Sequence, residues 1–462
     1  MSTAVNSSVS SSSSSCESLS LCNGSPLTPS VVRSLLVNSF PGLPPIKSLT
    51  VSDRYAYLMS TAARVNIEYE GEEAGEPFPN SAFFKRMVPG ELEHLRMKLK
   101  SSPNKLARDV KSYNVEVSFL SSKACQAFKR DAREAGGPMT PDVYSAEVMP
   151  DEEDPINSKF SILMSDFSSD KWDHRGQLRR SEILRVLGAI GTFHGYFWNG
   201  RVGELPAASA PAANLRRDVW DRGCYWSPDR QGDYLNDLEG IWERNEYWKW
   251  ILTGSDVDSY AGKVRSMGSR LARCASEAAR STHRQNDEGR FMDDPHRTLI
   301  HGDLKAANLF LSPGGQVGVI DFQWLGWGLP STDVMYLIVA NVSSDSVIDG
   351  ETYAEAEEEF LGAYWESLVA SLVKFKAASS ADEARAMYKM SDLRSQYELS
   401  FLDFCRTVFS YHWDRIKAIG SDGLKVITDN KDFKAKNAYN KDLAAARWLV
   451  RRCNDLLEKR GL

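Results

Sequence analysis

The chain has 462 residues and a formal net charge of −6, with no Lys/Arg-dense block standing out against its acids. That balance argues against a nucleic-acid binder and leaves small molecules as the expected partners. Cys16, Cys22, Cys125, Cys224, Cys274, Cys405 and Cys453 are scattered and form no Cys-x-x-Cys pair, which argues against a disulfide framework or a zinc site and for reduced thiols in a cytoplasmic setting.

No apolar run approaches the length of a bilayer span, so no membrane span is expected. The length allows two or three domains, and a two-lobed enzyme fits it. Residues 1–40 are read as a disordered, Ser-rich tail: a run from Ser10 to Ser15, one acid (Glu17) and no base before Arg33. Such a composition buries too little apolar surface to offset its ordering entropy. It lacks a charged region followed by an apolar core, so a secretory signal is not expected. An organelle transit peptide also tends to be Ser-rich and acid-poor, but it carries arginines that this stretch lacks.

Residues 41–165 read as a small, strand-rich lobe. Ser60–Tyr69 and Ser81–Val88 have the composition of paired strands around a Gly/Glu/Pro-rich loop from Glu70 to Asn80. Lys85 lies on the second of them. From Asn104 onward, Leu106, Val110, Tyr113, Val117, Leu120 and Ala124 recur at helical spacing, with Glu116 flanking the stripe. A Gly-x-Gly-x-x-Gly loop is absent from residues 45–85. Phe160–Phe167 is an apolar strand ending in polar residues, including Met164 and Asp166, where a connector between lobes should fall.

Residues 166–462 read as a larger helical lobe. Ile183, Leu184, Leu187, Ile190, His194 and Phe197 share one helix face that stops at Trp198-Asn199-Gly200, and His194 on that face reads as a core histidine. Trp220, Trp226, Trp242, Trp248 and Trp250 interleave with Asp218, Asp221, Asp233, Asp237, Glu243 and Glu246. The tryptophans read mainly as core, with a box for a cationic amine as the sharper reading. Residues 351–460 read as amphipathic helices capping this lobe.

The most informative stretch is Leu299-Ile300-His301-Gly302-Asp303-Leu304-Lys305-Ala306-Ala307-Asn308, then Val317-Gly318-Val319-Ile320-Asp321-Phe322-Gln323. Two apolar runs flank the turn Ser312–Gln316, as in a hairpin. If Leu311 faces Val317, Asn308 falls opposite Ile320, and Asn308 and Asp321 lie within ~5–8 Å at one end of the hairpin. A carboxylate and an amide oxygen so placed can share a hard cation such as Mg2+. Asp303, on the loop entering the hairpin, faces the same space.

An Asp, an Asn five residues on and a later Asp-Phe pair follow the logic of a kinase catalytic loop. These residues resemble the aminoglycoside phosphotransferase and choline kinase group, which has His-Gly-Asp where protein kinases have His-Arg-Asp. The Ile-Asp-Phe-Gln version looks most like its ecdysteroid-kinase-like branch. The resemblance implies an α+β, protein-kinase-like bilobal fold with a small β-rich N-lobe and a large helical C-lobe holding the catalytic hairpin, 299–323.

It also implies ATP and magnesium as cofactors. Asp303 would orient and deprotonate an acceptor hydroxyl, Lys305 would neutralise charge on the transferring phosphoryl, and Asn308 and Asp321 would hold the metal. Lys85 would reach the α and β phosphates with Glu116 as its partner. Backbone groups near Met164 and Asp166 would bind the adenine edge, and amides of a turn around Ser60–Arg64 would help to hold the phosphates. His301 is expected to brace the loop, and so is Asp333, which together with Ser331 is also a candidate helix cap.

Asp333 follows Asp321 by only twelve residues and no Ala-Pro-Glu sequence is present, so the long activation segment of a protein kinase does not fit. The expected function is therefore ATP-dependent phosphoryl transfer to a hydroxyl of a small molecule. Choline-like amino alcohols, steroid or lipid alcohols, sugars and aminoglycosides all remain open as acceptors. The alternatives are a nucleotide-binding pseudokinase, a protein kinase and a purely structural helical protein.

Overall fold

Two runs of alternating apolar residues set up the first sheet, and three more strands complete it. In the computed structural model the described residues are 19–56, 60–71, 78–91, 103–167, 171–226, 237–244, 248, 251, 266–279, 283–285, 291–343, 346–347, 352–413, 437–440 and 442–462. They fall into two compact units, 1–122 with 140–172, and 123–139 with 173–462.

The first unit is a five-stranded antiparallel sheet in the order β1-β2-β3-β5-β4. Its strands are β1 (Ile46–Ala56), β2 (Ser60–Tyr69), β3 (Ser81–Met87), β4 (Val143–Met149) and β5 (Lys159–Ser165). Alternation sends Ala63, Val65, Ala82, Phe84 and Leu163 to one face, where Leu19, Leu21, Leu27, Val32 and Leu36 cover them. The last two of these lie on helix α1 (Pro29–Leu36), whose start Thr28 caps by accepting from Val31 N.

This corrects the expected tail. From residue 19 onward the chain is folded, because its widely spaced leucines are the cover of the sheet. Helix α2 (Pro103–Ser121) packs Leu106, Val110 and Tyr113 with Met87 and Phe160. A second correction concerns the phosphate-holding turn around Ser60–Arg64: the strand expected over Ser60–Tyr69 is present, and within it Thr61–Arg64 pair with Arg54–Ala56 and Asp53 on one side and with Phe83–Arg86 on the other. Backbone groups laddered on both sides are not a free phosphate cradle.

The second unit opens with α3 (Lys123–Ala132) and continues with α4 (Arg180–Tyr196). Phe128 of α3 packs its ring edge-on against Phe193 and Tyr196, with centroids at 5.2 Å. The middle of the unit holds α5 (Ala210–Asp218), α6 (Leu238–Arg244), α7 (Met267–Ala279) and the short strands β6 (His283–Gln285) and β7 (Phe291–Asp293). Then come β8 (Thr298–Ile300), β9 (Leu309–Leu311), β10 (Val317–Val319) and β11 (Gly326–Gly328).

The chain ends with α8 (Pro330–Asn341), α9 (Tyr353–Lys374), α10 (Ala381–Met387), α11 (Met390–Thr407) and α12 (Leu443–Lys459). α9 lies so close along α4 that a Cβ on Gly195 would sit 2.5 Å from the Ser371 Cβ. The face of α4 predicted to be apolar is the buried one, and His194 on it is fully buried.

Trp220, Trp226, Trp242 and Trp248 are buried, with the rings of Trp242 and Trp248 stacked 4.9 Å apart. Asp218, Asp221, Asp237 and Glu243 are exposed. Among the described residues the rings and the acids thus point different ways, into core and solvent, and form no cation box. Trp250, Asp233 and Glu246 lie outside the described residues. The six described cysteines are buried. No described helix is long and apolar enough to cross a membrane.

Candidate active site

The hairpin forms in the predicted register. Leu311 faces Val317 and Leu309 faces Val319, and Ile320 N donates to Asn308 O at 3.1 Å, which continues the ladder by one pair. The turn closes itself: Gly315 N donates to Ser312 O at 3.0 Å and Gln316 N to Ser312 Oγ at 2.9 Å. Each outer edge is extended by one bridge, Met139 beside Gly318 and Asp173 opposite Leu311.

The loop from His301 to Asn308 is held by buried groups on both of its sides. Asp333, fully buried in the first turn of α8, accepts from His301 N at 2.6 Å and Gly302 N at 2.9 Å, with His194 Nε2 at 3.3 Å. Asp333 therefore turns toward the loop, and α8 starts at Pro330 after Leu329 with no side-chain cap. Ser331 does not cap it either, since its hydroxyl pairs with Ser400 Oγ at 3.2 Å. The expected cap is corrected on this point, and the bracing contact of Asp333 is present.

Gly302 has φ +79, and a Cβ there would meet Trp324 O at 2.3 Å and Cys224 N at 2.5 Å. Only glycine fits so tight a left-handed turn. Its carbonyl accepts from Tyr225 N at 3.2 Å. His301 Nε2 donates to Ile320 O at 2.9 Å, while its Nδ1 accepts from Asp303 N at 3.3 Å. Those two bonds together call for the neutral Nε2–H tautomer.

Asp303 is buried, and its two oxygens differ. Oδ2 accepts from Lys305 Nζ at 2.5 Å and Asn308 Nδ2 at 3.2 Å, whereas Oδ1 has no hydrogen-bond partner. Burial pushes the Asp303 carboxyl above the usual carboxylate range; the Lys305 ammonium opposes the rise and the Asp321 charge adds to it. Lys305 is thus beside the carboxylate, within an ion pair. A buried acceptor left open is costly in a finished fold.

Asn308 donates its Nδ2 to Asp303 O at 2.8 Å, which leaves its oxygen on the other side of the amide. Asp321 follows β10 in the left-handed region, at φ 67 and ψ 59. Asp and Asn tolerate that conformation better than most residues, at a cost of about 1 kcal/mol. Phe322 closes the corner, its ring 4.9 Å from that of His301.

Among the described residues no cluster of three or more His, Cys, Asp or Glu offers an all-protein metal cage. Asp321 and Asn308 supply one carboxylate and one amide oxygen, a donor set that suits magnesium completed by water and phosphate.

The first unit brings together the other pair. Lys85 on β3 reaches Glu116 on α2 at 2.6 Å, with side chains 10% and 3% exposed, and the ammonium lies 5.1 Å over the Tyr113 ring. Tyr113 is itself fixed by donating to Ser60 Oγ at 2.7 Å. Met164 sits inside β5, opposite Phe83 on one side and Val143 on the other. Asp166 lies one residue past the strand end, and its carboxylate accepts from Arg64 Nε at 2.6 Å and Ser81 Oγ at 3.0 Å.

One element of the site went unread in the sequence. The segment from Trp220 to Tyr225 clamps the stretch after Asp321 through backbone bonds. Trp220 N donates to Leu325 O at 3.1 Å, Gly223 N to Trp327 O at 2.9 Å and Cys224 N to Trp324 O at 3.0 Å. Such bonds ask nothing of side-chain type and leave no sequence signal.

Residues 243–369, which contain the whole hairpin and Asp333, match the phosphotransferase enzyme family. Comparison of the full sequence with curated proteins gives no match.

Solved structures similar to the chain include a choline kinase from Cryptosporidium parvum Iowa II, 9% identical, covering 94% of this chain and 95% of that one at TM-score 0.40. An amicoumacin kinase is 12% identical over 88% of each chain at TM-score 0.37. An aminoglycoside phosphotransferase from Streptomyces rimosus is 16% identical over 79% of this chain and 99% of its own at TM-score 0.34.

Proposed function

We propose that the protein uses ATP and magnesium to move the γ-phosphoryl group to a hydroxyl of a small molecule. The observation that carries the reading is the open Oδ1 of Asp303, beside an oxygen-only pair, Asn308 and Asp321, on one hairpin. Asp303 accepts the acceptor hydroxyl through Oδ1 and takes its proton as the oxygen attacks. A carboxyl held above its usual range is better matched to that task than an ordinary one. Lys305 holds Oδ2 and fixes which oxygen is free.

Asn308 and Asp321 would hold magnesium, which when bound neutralises charge on the β and γ phosphates. Lys85 binds the α and β phosphates, and Glu116 keeps its ammonium extended. Backbone groups at Asp166, one residue past the end of β5, meet the base edge; those of Met164, laddered to Phe83 on one side and Val143 on the other, do not. Phosphoryl transfer asks little covalent help of a protein, so positioning and charge carry most of the rate. The short step from Asp321 to Asp333 supports a small acceptor: an amino alcohol, a steroid or lipid alcohol, or a sugar-like polyol.

The test is a magnesium-ATP consumption screen over pooled alcohols, amino alcohols and sugars, with Asp303→Ala as control. Acceptor-dependent ADP release by the wild type, lost in the variant, is the expected result. Turnover that survives Asp303→Ala would remove the base and with it the mechanism.

A further inference from the structure

We propose that Arg64 is the platform on which the nucleobase of the phosphoryl donor stacks, and that it makes the protein prefer purine nucleotides. The inference rests on the nucleotide reading above and adds a residue and a specificity to it.

The register of the first sheet places the parts. Tyr55, Ala62, Lys85 and Ile162 form one cross-strand row, and Asp53, Arg64, Phe83 and Met164 form the row two residues away on the same face. Rows two residues apart are separated by ~7 Å. With Lys85 on the phosphates, the next row toward the end of β5 is where ribose and base fall. That row offers a guanidinium and the Phe83 ring, whose centroid is 6.3 Å from that of Tyr55.

The guanidinium is held by its edges. Its Nε donates to Asp166 Oδ2 at 2.6 Å, Nη1 to Asp53 Oδ2 at 2.5 Å, and Nη2 to Asp166 Oδ1 at 3.3 Å and to Phe167 O at 3.4 Å. Ser81 fixes the Asp166 carboxylate in turn, at 3.0 Å. These contacts lie at the rim of the planar fork, and the side chain keeps 19% of its surface exposed. A planar cation pinned at its rim is a stacking surface already set in place. A purine, with the larger π face, gains more from it than a pyrimidine.

The experiment uses the full chain with magnesium and measures Kd for ATP, GTP, CTP and UTP by equilibrium dialysis, for wild type, Arg64→Ala and Arg64→Lys. Wild type is expected to favour ATP and GTP. Arg64→Ala should weaken the purines about tenfold, bring them level with the pyrimidines, and raise KM for ATP with kcat at saturating ATP unchanged. Arg64→Lys, which keeps charge but not plane, should fail to restore the preference. Phenylglyoxal labelling of the wild type gives a readout free of folding effects: ATP, and not UTP at equal concentration, should shield Arg64.

Unchanged purine binding in Arg64→Ala, full rescue by lysine, or labelling of Arg64 at saturating ATP would each reduce the cluster to a structural ion network and overturn the platform alone. A wild type that binds no nucleotide would overturn the phosphotransferase reading together with it.

Discussion

Replacing Asp333 by Asn tests whether the loop from His301 to Asn308 is held from α8. The carboxylate accepts from His301 N, Gly302 N and His194 Nε2 at 2.6, 2.9 and 3.3 Å, all within the core. An amide has one oxygen. Placed where Oδ2 now lies, it keeps the bonds to His301 and His194 but turns an NH2 toward the Gly302 N–H. One buried donor is then left without an acceptor, at about 1–3 kcal/mol. The surviving bonds fall from charge-assisted to neutral, at roughly half their strength, which adds about 1 kcal/mol.

The sum is about 2–4 kcal/mol, and at roughly 2–4 °C per kcal/mol the melting temperature should fall by about 5–15 °C. Hydrogen exchange gives the local readout, because the Gly302 amide should lose protection before the rest of β8. A displacement of Asp303 by about 1 Å should also slow turnover by about 10²-fold. If Asp333→Asn melts with the wild type and its Gly302 amide stays protected, the brace is not what holds the loop.

Three further outcomes follow from the same geometry. Lys85→Met removes the ammonium that meets the buried Glu116 carboxylate at 2.6 Å and should destabilise by up to about 3–5 kcal/mol, while Lys85→Met with Glu116→Leu recovers most of that in chemical denaturation; equal losses in both variants would refute the pairing. Asp303→Asn should raise the melting temperature at neutral pH while abolishing turnover. A carboxyl whose folded pKa is raised adds stability that is full below its unfolded pKa and lost as pH rises through the folded one, so the gain should vanish in acid melts. Gly302→Ala drives a Cβ to 2.3 Å from a backbone carbonyl at a positive φ; it should lower stability by at least about 2 kcal/mol and cut turnover, and a near-native melt would show that the Trp324 corner yields.

The sequence was legible where local rules decide. A five-residue turn with Pro and two Gly, between apolar strands, admits few registers, so the Leu311–Val317 and Asn308–Ile320 pairs could be counted off in advance. Lys85 and Glu116 could each be placed on an element, and the contact joining them is there at 2.6 Å. Asp333 looked like a cap because it stands just past a Pro and a Ser, but Pro330 starts the helix earlier, and the carboxylate meets two backbone N–H groups at which a capping rule does not look.

Residues 19–40 looked disordered because serine dominates the composition around them. Leu19, Leu21, Leu27, Val32 and Leu36 are few, yet each covers the sheet. Arg64 falls within the strand that composition assigns to Ser60–Tyr69, but composition does not say which residues face one another across it, and only the paired register sets Arg64 in the row beside Lys85.

The helix Lys123–Ala132 and the residues up to Met139 belong to the second unit, although chain of the first unit both precedes and follows them. That interleaving decides how the protein can be taken apart. A fragment beginning at Asp173 would hold the whole 299–323 hairpin and still be incomplete. It would lose Phe128 from the rings of Phe193 and Tyr196 and the Met139 bridge from the edge of β10, and so expose an apolar helix face and an unpaired strand edge, both prone to aggregation. A soluble second unit should instead require residues 123–139 spliced ahead of 173, with a short linker standing in for the excised strands.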